Sequence, residues 1–333
     1  MKFISFFFYM FILPQNPFFF KTCNCFNMGV LSIRGGKMKE KNMTALVSCF
    51  ARCYHYKNNK YRIFSDNMAE KILSEKEYNS IASNMANGIE FFNPNFTGTK
   101  TDALKWIVDN QLSPLILGRS AFCEKSLLNA VKIGCKEYLI FASGYDTFAY
   151  RKNIDGLKIF EIDKSEMIED KIRRLDNSKL DYSKVDFIKC DFTNVDWIDN
   201  ILHSNYDKTQ ISFSSLLGIS YYLNKEEFFN MIQSISNVLC EGSSIVFDYP
   251  TYDDSKKTQI NEQLASEANE QMKSKYLFEE IEKMLSENGL LIYEHLNGKE
   301  MTDTYFWKYN TLNPNNKIYA PKGVCYCLAV KKK

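Results

Sequence analysis

Short apolar runs alternate with helical patterns through the middle of the chain. The runs are four to seven residues long and lie at Glu137–Ala142, Leu157–Ile162, Val185–Ile188, Ile211–Leu217 and Ser244–Phe247. Apolar runs of this length are typical of buried strands rather than helices. Helical patterns fall between most of them, as in Glu166–Leu175 and Lys225–Leu239. The alternation predicts a mostly parallel sheet with right-handed crossover helices.

The chain before these runs has a helical pattern. Apolar residues recur at helical spacing from Thr44 to Met85. Thr101 or Asp102 can cap a further helix, and Ser120–Lys132 predicts another. We therefore expect a helical cap over about residues 38–135.

The C-terminal part predicts the edge of the sheet. Leu290–Tyr293 and Val324–Val330 read as strands without a long helix between them, which predicts an antiparallel hairpin. The polar stretch of about residues 250–287 carries periodic Leu264 and Ala268 and reads either as a helical lid or as an ordinary surface helix. The predicted fold is an α/β, Rossmann-like methyltransferase fold with a mostly parallel seven-stranded sheet. A plain dinucleotide-binding domain does not require the hairpin.

Charge and composition divide the chain unevenly. The 333 residues include 42 Lys and Arg against 40 Asp and Glu, which excludes the basic excess of a nucleic-acid-binding protein. Residues 1–37 hold four basic residues, no acidic residue and nine of the 26 Phe, so residues 38–333 have a net charge of −2. We interpret 1–37 as an extension outside the fold, with a secretory signal or a short membrane anchor as alternatives, and 38–333 as one domain. The apolar stretch of residues 3–13 is too short to span a bilayer.

Cysteine and histidine usage indicates free thiols and no metal site. The ten Cys are scattered through predicted helices and strands of a chain too large to need disulfides. The three His and the Cys spacings do not form a zinc-site pattern. We expect a cytoplasmic protein with no stable membrane span, and its oligomeric state stays open.

The first predicted strand ends in Ala142-Ser143-Gly144-Tyr145-Asp146. Ligands of open α/β sheets bind at the carboxyl ends of the strands, and small residues there let the backbone approach closely. Asp163 follows Gly144 by 19 residues, the spacing of an acid that holds ribose hydroxyls in both nicotinamide- and S-adenosylmethionine-dependent enzymes. A single glycine, with Asp146 where a pyrophosphate would lie, favours S-adenosylmethionine. Asp146 also fits a helix N-cap.

The third predicted strand ends at Asp191 and Phe192. The carboxylate can accept a hydrogen bond from an adenine amine, and the ring can pack on the base. The alternative is a loop acid followed by a core Phe.

Several motifs together resemble the leucine carboxyl methyltransferase family. Phe141–Arg151 is similar to the family's Leu-Gly-Ala-Gly-Leu-Asp-Thr-Arg-Ala-Tyr-Arg, and Phe160–Asp163 to its Phe-Glu-Val-Asp. Further matches, in the same order, are Arg119 before the first strand, Lys171, Asp191 with Asp196-Trp197, and Leu217-Gly218 with Tyr222-Leu223. Order and spacing agree over roughly residues 110–250.

The resemblance implies a class I S-adenosylmethionine-dependent O-methyltransferase. Carried over to this chain, Arg119 pairs with the carboxylate of the cofactor's methionine part, Asp163 holds the ribose, and Asp191 with Phe192 frames the adenine. Ala142, Ser143, Gly144 and Asp146 form the cofactor turn after the first strand.

The chain departs from the family pattern at two positions. Ala142 stands in place of the family's first glycine, and Leu217 stands in place of a glutamate after the fourth strand. We therefore expect slightly less backbone approach at 142 and the loss of a polar contact near the methionine end. The second departure argues against the protein-leucine substrate of the family.

The acceptor is the least specified part of the function. We expect a carboxylate, or a phenol, of a small molecule. A carboxylate is ionised at neutral pH and needs no general base, whereas a phenol needs one. His55 is a weak candidate for a catalytic base, and Tyr145, Tyr221 and Tyr222 are weak candidates for the acceptor pocket.

Three other functions remain open from the sequence. The same fold can methylate a protein C-terminal carboxylate or a tRNA. A nicotinamide-dependent dehydrogenase shares the acid after the glycine turn. A cofactor-binding protein without catalysis would fit the departures at Ala142 and Leu217.

Overall fold

Seven strands form one mixed sheet, in the order β3-β2-β1-β4-β5-β7-β6. The computed structural model describes residues 43–194, 196–253 and 272–332. The strands are β1 Glu137–Phe141, β2 Lys158–Asp163, β3 Val185–Lys189, β4 Ser212–Leu216, β5 Ser244–Pro250, β6 Leu290–Leu296 and β7 Val324–Lys331. The five strands predicted from the apolar runs and the mostly parallel Rossmann-like sheet are confirmed.

The central strands are parallel and buried along their whole length. β1 pairs with β2 on one side and with β4 on the other, and Phe141 lies beside both Ile162 and Leu216. All five residues of β1 and of β4 are buried, as expected for strands covered on both faces. The order of the strands reverses between β1 and β4, so the carboxyl ends of these two strands border the crevice where such sheets bind ligands.

The C-terminal strands are antiparallel, but they are not joined by a simple hairpin. β7 pairs with both β5 and β6, which places β6 at the edge. The connection between β6 and β7 holds a continuous helical run, Gly298–Leu312, with a π-helical turn at Thr302–Phe306. The expectation of no long helix here was wrong. Asn297 caps the run, and Met301 and Phe306 are buried, so tertiary packing completes a helix that its sequence pattern signals weakly.

Helices cover the sheet and the N-terminal side of the molecule. They are α1 Met43–Asn58, α2 Ala69–Ile72, α3 Glu75–Asn87, α4 Ile89–Phe92, α5 Lys100–Ile107, α6 Ser113–Lys132, α7 Phe148–Arg151, α8 Ser165–Asn177, α9 Asp199–Leu202, α10 Lys225–Val238, α11 Phe278–Glu287, α12 Gly298–Met301 and α13 Trp307–Leu312. A π-helical turn, Val108–Leu112, joins α5 to α6, so that Lys100–Lys132 is one continuous helical run.

The helical cap differs from the sequence pattern in its boundaries. The predicted helical stretch from Thr44 to Met85 is divided because Asp66 accepts hydrogen bonds from the backbone amides of Met68 and Ala69 and starts a new helix there. The cap of α5 is Thr99 rather than Thr101 or Asp102, and Asp102 completes the capping box from the third helical position.

Two hydrophobic clusters flank the sheet, and a third lies under the cap. α10 and α11 bury Phe228 and Leu285 against one face, and α6 buries Phe122 against the other. The third cluster joins α1 to the turn after β1, with Phe50 and Tyr145 among its buried members. The cap therefore packs directly on the carboxyl edge of the sheet.

Some predicted segments lie outside the described residues. These are the extension 1–37 and, within the predicted lid, Leu264 and Ala268. The described helix of that stretch, α11, packs Ile281 and Leu285 into the core beside β6. No helix in the part of the chain that the structure describes is long and apolar enough to cross a membrane. The eight cysteines within the described ranges are free thiols.

Candidate active site

The turn after β1 has an unusual backbone. Ala142 and Gly144 both have positive φ angles, +51° and +48°, and they flank the buried Ser143. This conformation aims the Gly144 amide at β2, where it donates to Asp163 Oδ2 over 2.8 Å. A left-handed conformation costs a non-glycine residue about 1–2 kcal/mol. Ala142 therefore holds a strained backbone at the place where the family has glycine.

Asp163 lies at the carboxyl end of β2 and is half-buried. Its Oδ1 accepts a hydrogen bond from the backbone amide of Lys164 over 2.7 Å, and its Oδ2 accepts the one from Gly144. Burial raises the pKa of the Asp163 carboxyl, against the effect of these two amides. Each oxygen keeps lone-pair capacity, so the carboxylate can still accept hydrogen bonds from ribose hydroxyls.

Asp191 and Phe192 follow β3 at the same edge of the sheet. Asp191 Oδ1 accepts hydrogen bonds from the amide and the hydroxyl of Thr193. Phe192 is half-buried and packs edge-on against Trp197, with ring centroids 5.3 Å apart. The structure thus places both residues next to Asp163, and the Phe192 ring lies partly in the core, as in the alternative interpretation.

The N-terminal cap is tied to the turn by a buried ion pair that sequence reasoning missed. Arg52 of α1 donates to Asp66 Oδ2 over 2.8 Å and to the carbonyl oxygen of Tyr145 over 2.6 Å. Asp66 also accepts from the Thr147 hydroxyl over 2.7 Å. Burial alone would raise the pKa of Asp66, but the charges of Arg52 and Arg151 outweigh it and hold that pKa below its ordinary value. Arg52 and Asp66 are 14 residues apart, and their contacts with Tyr145 and Thr147 span 93 and 81 residues, so no local pattern signals the link to the turn.

The Asp146 carboxylate also makes a hydrogen bond within the fold. Its Oδ1 accepts a hydrogen bond from the backbone amide of Phe148 over 2.7 Å, at the start of α7. The N-cap position of this helix is Thr147, so Asp146 lies one residue before it and forms a turn that leads into the helix. The second carboxylate oxygen stays available to a ligand.

Arg119 lies on α6, upstream of the first strand, and reaches the site from there. Its side chain is 15% exposed, and the guanidinium lies against Gly218, just beyond the carboxyl end of β4. Gly218 has a φ of +72°, and a Cβ there would overlap the guanidinium. Arg119 and Gly144 therefore border the crevice between β4 and β1.

Leu217 packs into the hydrophobic cluster on the α6 face of the sheet and offers no polar group. Arg119 instead has a carboxylate partner on β5: the fully buried Asp248 lies 3.6 Å from the Arg119 Nη1 atom. Sequence reasoning missed Asp248 because it reads as the last residue of an apolar strand.

The three candidate tyrosines lie in two places. Tyr145 is 2% exposed, and its hydroxyl donates to Asp170 of α8. The guanidinium of Arg174 lies over the Tyr145 ring, 4.8 Å from its centroid. Tyr145 therefore lies between the cap and α8, and its role in an acceptor pocket stays a prediction. Tyr221 and Tyr222 are half-buried in the turn after Gly218, next to Arg119.

His55 is a structural residue in this fold. It is fully buried in α1, and its Nε2 accepts a hydrogen bond from the backbone amide of Ile63 over 3.0 Å. Asn59 lies 3.3 Å from the other ring nitrogen. Burial lowers the pKa of His55 to about 3. The ring nitrogen that would act as a base is already used, so we do not place His55 among the catalytic groups.

The residues at this edge fit S-adenosylmethionine. Asp163 offers acceptors for hydroxyls, and Arg119 offers a cation for a carboxylate. A Cβ at Gly144 would lie 3.3 Å from the Cβ of Ala45, so this glycine lets α1 pack closely on the turn. The Ser143 hydroxyl is buried and has no hydrogen-bond partner among the described residues, which leaves it free to pair with a ligand. Among the same residues, no group of three His, Cys, Asp or Glu could hold a metal ion.

Comparisons with known proteins identify sequence relatives of this chain. The family model described as leucine carboxyl methyltransferase matches residues 45–236. YktD of Bacillus subtilis, provisionally named an S-adenosyl-L-methionine-dependent methyltransferase, is 34% identical over 309 residues, which are 89% of this chain and 100% of YktD. A Mycobacterium marinum protein with the same provisional description is 25% identical over 143 residues, covering 42% of this chain and 47% of its own length.

A solved structure shares the fold. The crystal structure of a Thermobifida fusca protein, provisionally titled a methyltransferase, superimposes with a TM-score of 0.52 at 14% identity. The match covers 87% of this chain and 94% of that one.

The buried neutral state of His55 predicts acid destabilisation. The unfolded chain takes up a proton on this ring below about pH 6.5, whereas the folded protein does so only near pH 3, so stability falls as the pH drops through this window. Lowering the pH from 7 to 5 should decrease the free energy of unfolding of both proteins, and the decrease should be about 2 kcal/mol larger for the native protein than for His55→Gln. Urea titrations at both pH values measure this. The exposed His203→Gln is the control and should follow the native protein; a constant gap between native and His55→Gln would contradict the assignment.

The strained turn predicts that Ala142→Gly stabilises the protein. Removing the Cβ should raise the free energy of unfolding by about 0.5–1 kcal/mol, since the relief of left-handed strain exceeds the entropy that glycine adds to the unfolded chain. Lys179→Gly is a matched control, because Lys179 is exposed and has a φ of +53°. Urea unfolding should show similar gains for both variants.

Only Ala142→Gly should tighten S-adenosylhomocysteine binding, by about threefold in calorimetry, because the backbone can approach more closely. Weaker binding by Ala142→Gly would refute this view of the turn.

Proposed function

The chain belongs to the leucine carboxyl methyltransferase family, and from that premise we propose that this S-adenosylmethionine-dependent enzyme methylates a carboxylate oxygen of a small molecule. The family's description refers to a leucine carboxyl group, which is the same acceptor chemistry. When bound, the cofactor supplies a methyl group on a positively charged sulfur, which a nucleophilic oxygen takes up with release of a neutral thioether.

In this proposal the described residues mainly bind and orient. Asp163, oriented by the Gly144 amide, holds the ribose, Asp191 lies at the adenine, and Arg119 pairs with the methionine carboxylate. Alignment of the reacting atoms and exclusion of water account for most of the rate in such displacements. The cap supports this task, because Arg52 fixes α1 on the carbonyl of Tyr145 and so covers the turn.

The observation that carries the proposal is that each of the three histidines of the chain has a hydrogen-bond partner within the fold. His55 is buried with Nε2 accepting from a backbone amide. His203, just after α9, is exposed, and its Nδ1 lies 2.8 Å from the carbonyl oxygen of Asp199. His295 on β6 pairs with the Tyr249 hydroxyl over 2.8 Å. Each ring thus has a hydrogen-bond partner within the fold, which supports an acceptor that needs no histidine base.

Tyr221, beside that crevice, is a poor base as well. Burial and the neighbouring Asp248 raise the pKa of Tyr221 well above its ordinary value, so its hydroxyl stays protonated. Asp248 itself is fully buried and turned toward Gly218, Tyr221 and Arg119. An acceptor that is ionised without help fits these surroundings, and carboxylates, with a pKa near 4, meet that condition.

A label-transfer assay tests the proposal. The protein is incubated with methyl-labelled S-adenosylmethionine and with separate pools of small carboxylic acids, phenols and peptides that end in leucine. We expect label in the acid pool, in a product that releases labelled methanol in mild alkali, as methyl esters do and phenol ethers do not. The rate should be flat between about pH 6 and pH 9, because the acceptor is already ionised.

Asp163→Asn serves as the control and should lose most of the label transfer. Alkali-stable product from the phenol pool, with a rate that rises toward pH 10, would replace the carboxylate by a phenol. Preference for the peptides would exclude the small-molecule acceptor. Cofactor binding without label in any pool would argue against catalysis.

A further inference from the structure

Asp248 is a fully buried carboxylate to which the proposed binding scheme gives no role. Asp248 lies near the end of β5, and its side chain has no exposed surface. An ionised carboxylate is costly to bury unless it is paired and hydrogen-bonded. Its partners therefore show what the charge is used for.

The position of Asp248 relates it to the missing acid on β4. β4 and β5 are parallel, and Leu216 lies beside Phe247. Continuing that register by one residue places Leu217 beside Asp248. The family has a glutamate where this chain has Leu217 on the β4 side. Here a carboxylate lies instead on the neighbouring strand, β5, at the same edge of the sheet.

The contacts of Asp248 hold the turn after β4. Oδ1 accepts a hydrogen bond from the Gly218 amide over 2.6 Å, and Oδ2 accepts one from the Tyr221 hydroxyl over 2.9 Å. Its backbone carbonyl oxygen accepts from the Ser220 hydroxyl over 2.7 Å. A single residue of β5 therefore fixes the backbone from Gly218 to Tyr221.

The Asp248 carboxylate also forms an ion pair with Arg119. The guanidinium lies between Asp248, 3.6 Å away, and the open backbone of Gly218. Asp248 is wholly buried, whereas Arg119 keeps a small exposed fraction, so the carboxylate lies behind the guanidinium as seen from the crevice. A cationic side chain that has a buried carboxylate on one side is attracted to it and presents N–H groups toward the opposite side, where the crevice lies.

We infer that Asp248 is a positioning residue, which orients Arg119 toward the carboxylate of the methionine part of S-adenosylmethionine and supplies from β5 the negative charge that β4 lacks. The inference rests on cofactor binding by the family and not on the proposed acceptor. Binding assays without any acceptor therefore test it, and its failure would leave the carboxylate acceptor untouched.

The test compares two ligands that differ at the methionine end. S-adenosylhomocysteine carries the amino-acid group, and 5′-methylthioadenosine lacks it but keeps the adenosine and the sulfur. We expect Asp248→Asn to weaken S-adenosylhomocysteine binding at least about tenfold in calorimetry, because Arg119 loses the charge that orients it. Binding of 5′-methylthioadenosine should change less than about twofold, because this ligand does not reach Arg119. Asp163→Asn, the same substitution at the ribose site, should weaken both ligands.

A double-mutant cycle separates positioning from general support of the fold. In an Arg119→Gln background, Asp248→Asn should change S-adenosylhomocysteine affinity less than about twofold, since its route of action is already removed. Circular dichroism establishes that each variant is folded. If Asp248→Asn does not fold, Tyr221→Phe removes one hydrogen bond from the same carboxylate and should show the same ligand selectivity with about a threefold loss.

Three results would overturn the inference. They are unchanged or tighter S-adenosylhomocysteine binding by Asp248→Asn, equal weakening of both ligands, and additive losses in the double variant. The first would mean that Arg119 does not depend on Asp248, and the other two would indicate a role in the fold alone.

Discussion

The hydrogen bond from the Gly144 amide to the Asp163 carboxylate is the constraint on which the site depends. It joins the carboxyl ends of β1 and β2 and requires left-handed backbone at both Ala142 and Gly144. A carboxylate that accepts two backbone amides has a fixed orientation, so its remaining lone pairs point in a defined direction. The crevice at the β1–β4 reversal thus has one rigid wall before any ligand binds.

The opposite wall is built in a similar way. A buried carboxylate on a strand, Asp248, accepts from the amide of a glycine with positive φ, Gly218, and the turn so formed carries Arg119 against its backbone. On the cap side, Asp66 and Arg52 tie α1 to the turn after β1. Buried charges are tolerated in all these places because each has a hydrogen-bonded or charged partner. The proposed chemistry needs little more from the protein than this fixed geometry.

The sequence predicts well those features that depend on local patterns. The strands β1 and β4 are read from their apolar runs because both faces are buried, and the turn after β1 is read from its small residues. The features it misses depend on residues that are distant in sequence. The bond from Arg52 to the Tyr145 carbonyl oxygen, and the pairing of Asp248 with Arg119, become visible only when the fold brings these residues together. Tyr145 follows the glycine turn in sequence, yet its side chain faces α8, because the left-handed backbone at Gly144 redirects the chain.

A crystal structure of the complex with S-adenosylhomocysteine would show how this edge of the sheet binds the cofactor. We expect ribose hydroxyls on Asp163, the methionine carboxylate on the Arg119 guanidinium, and an unchanged hydrogen bond between Gly144 and Asp163. A ligand bound at another edge of the sheet, or one that breaks the bond between Gly144 and Asp163 to enter, would contradict this expectation.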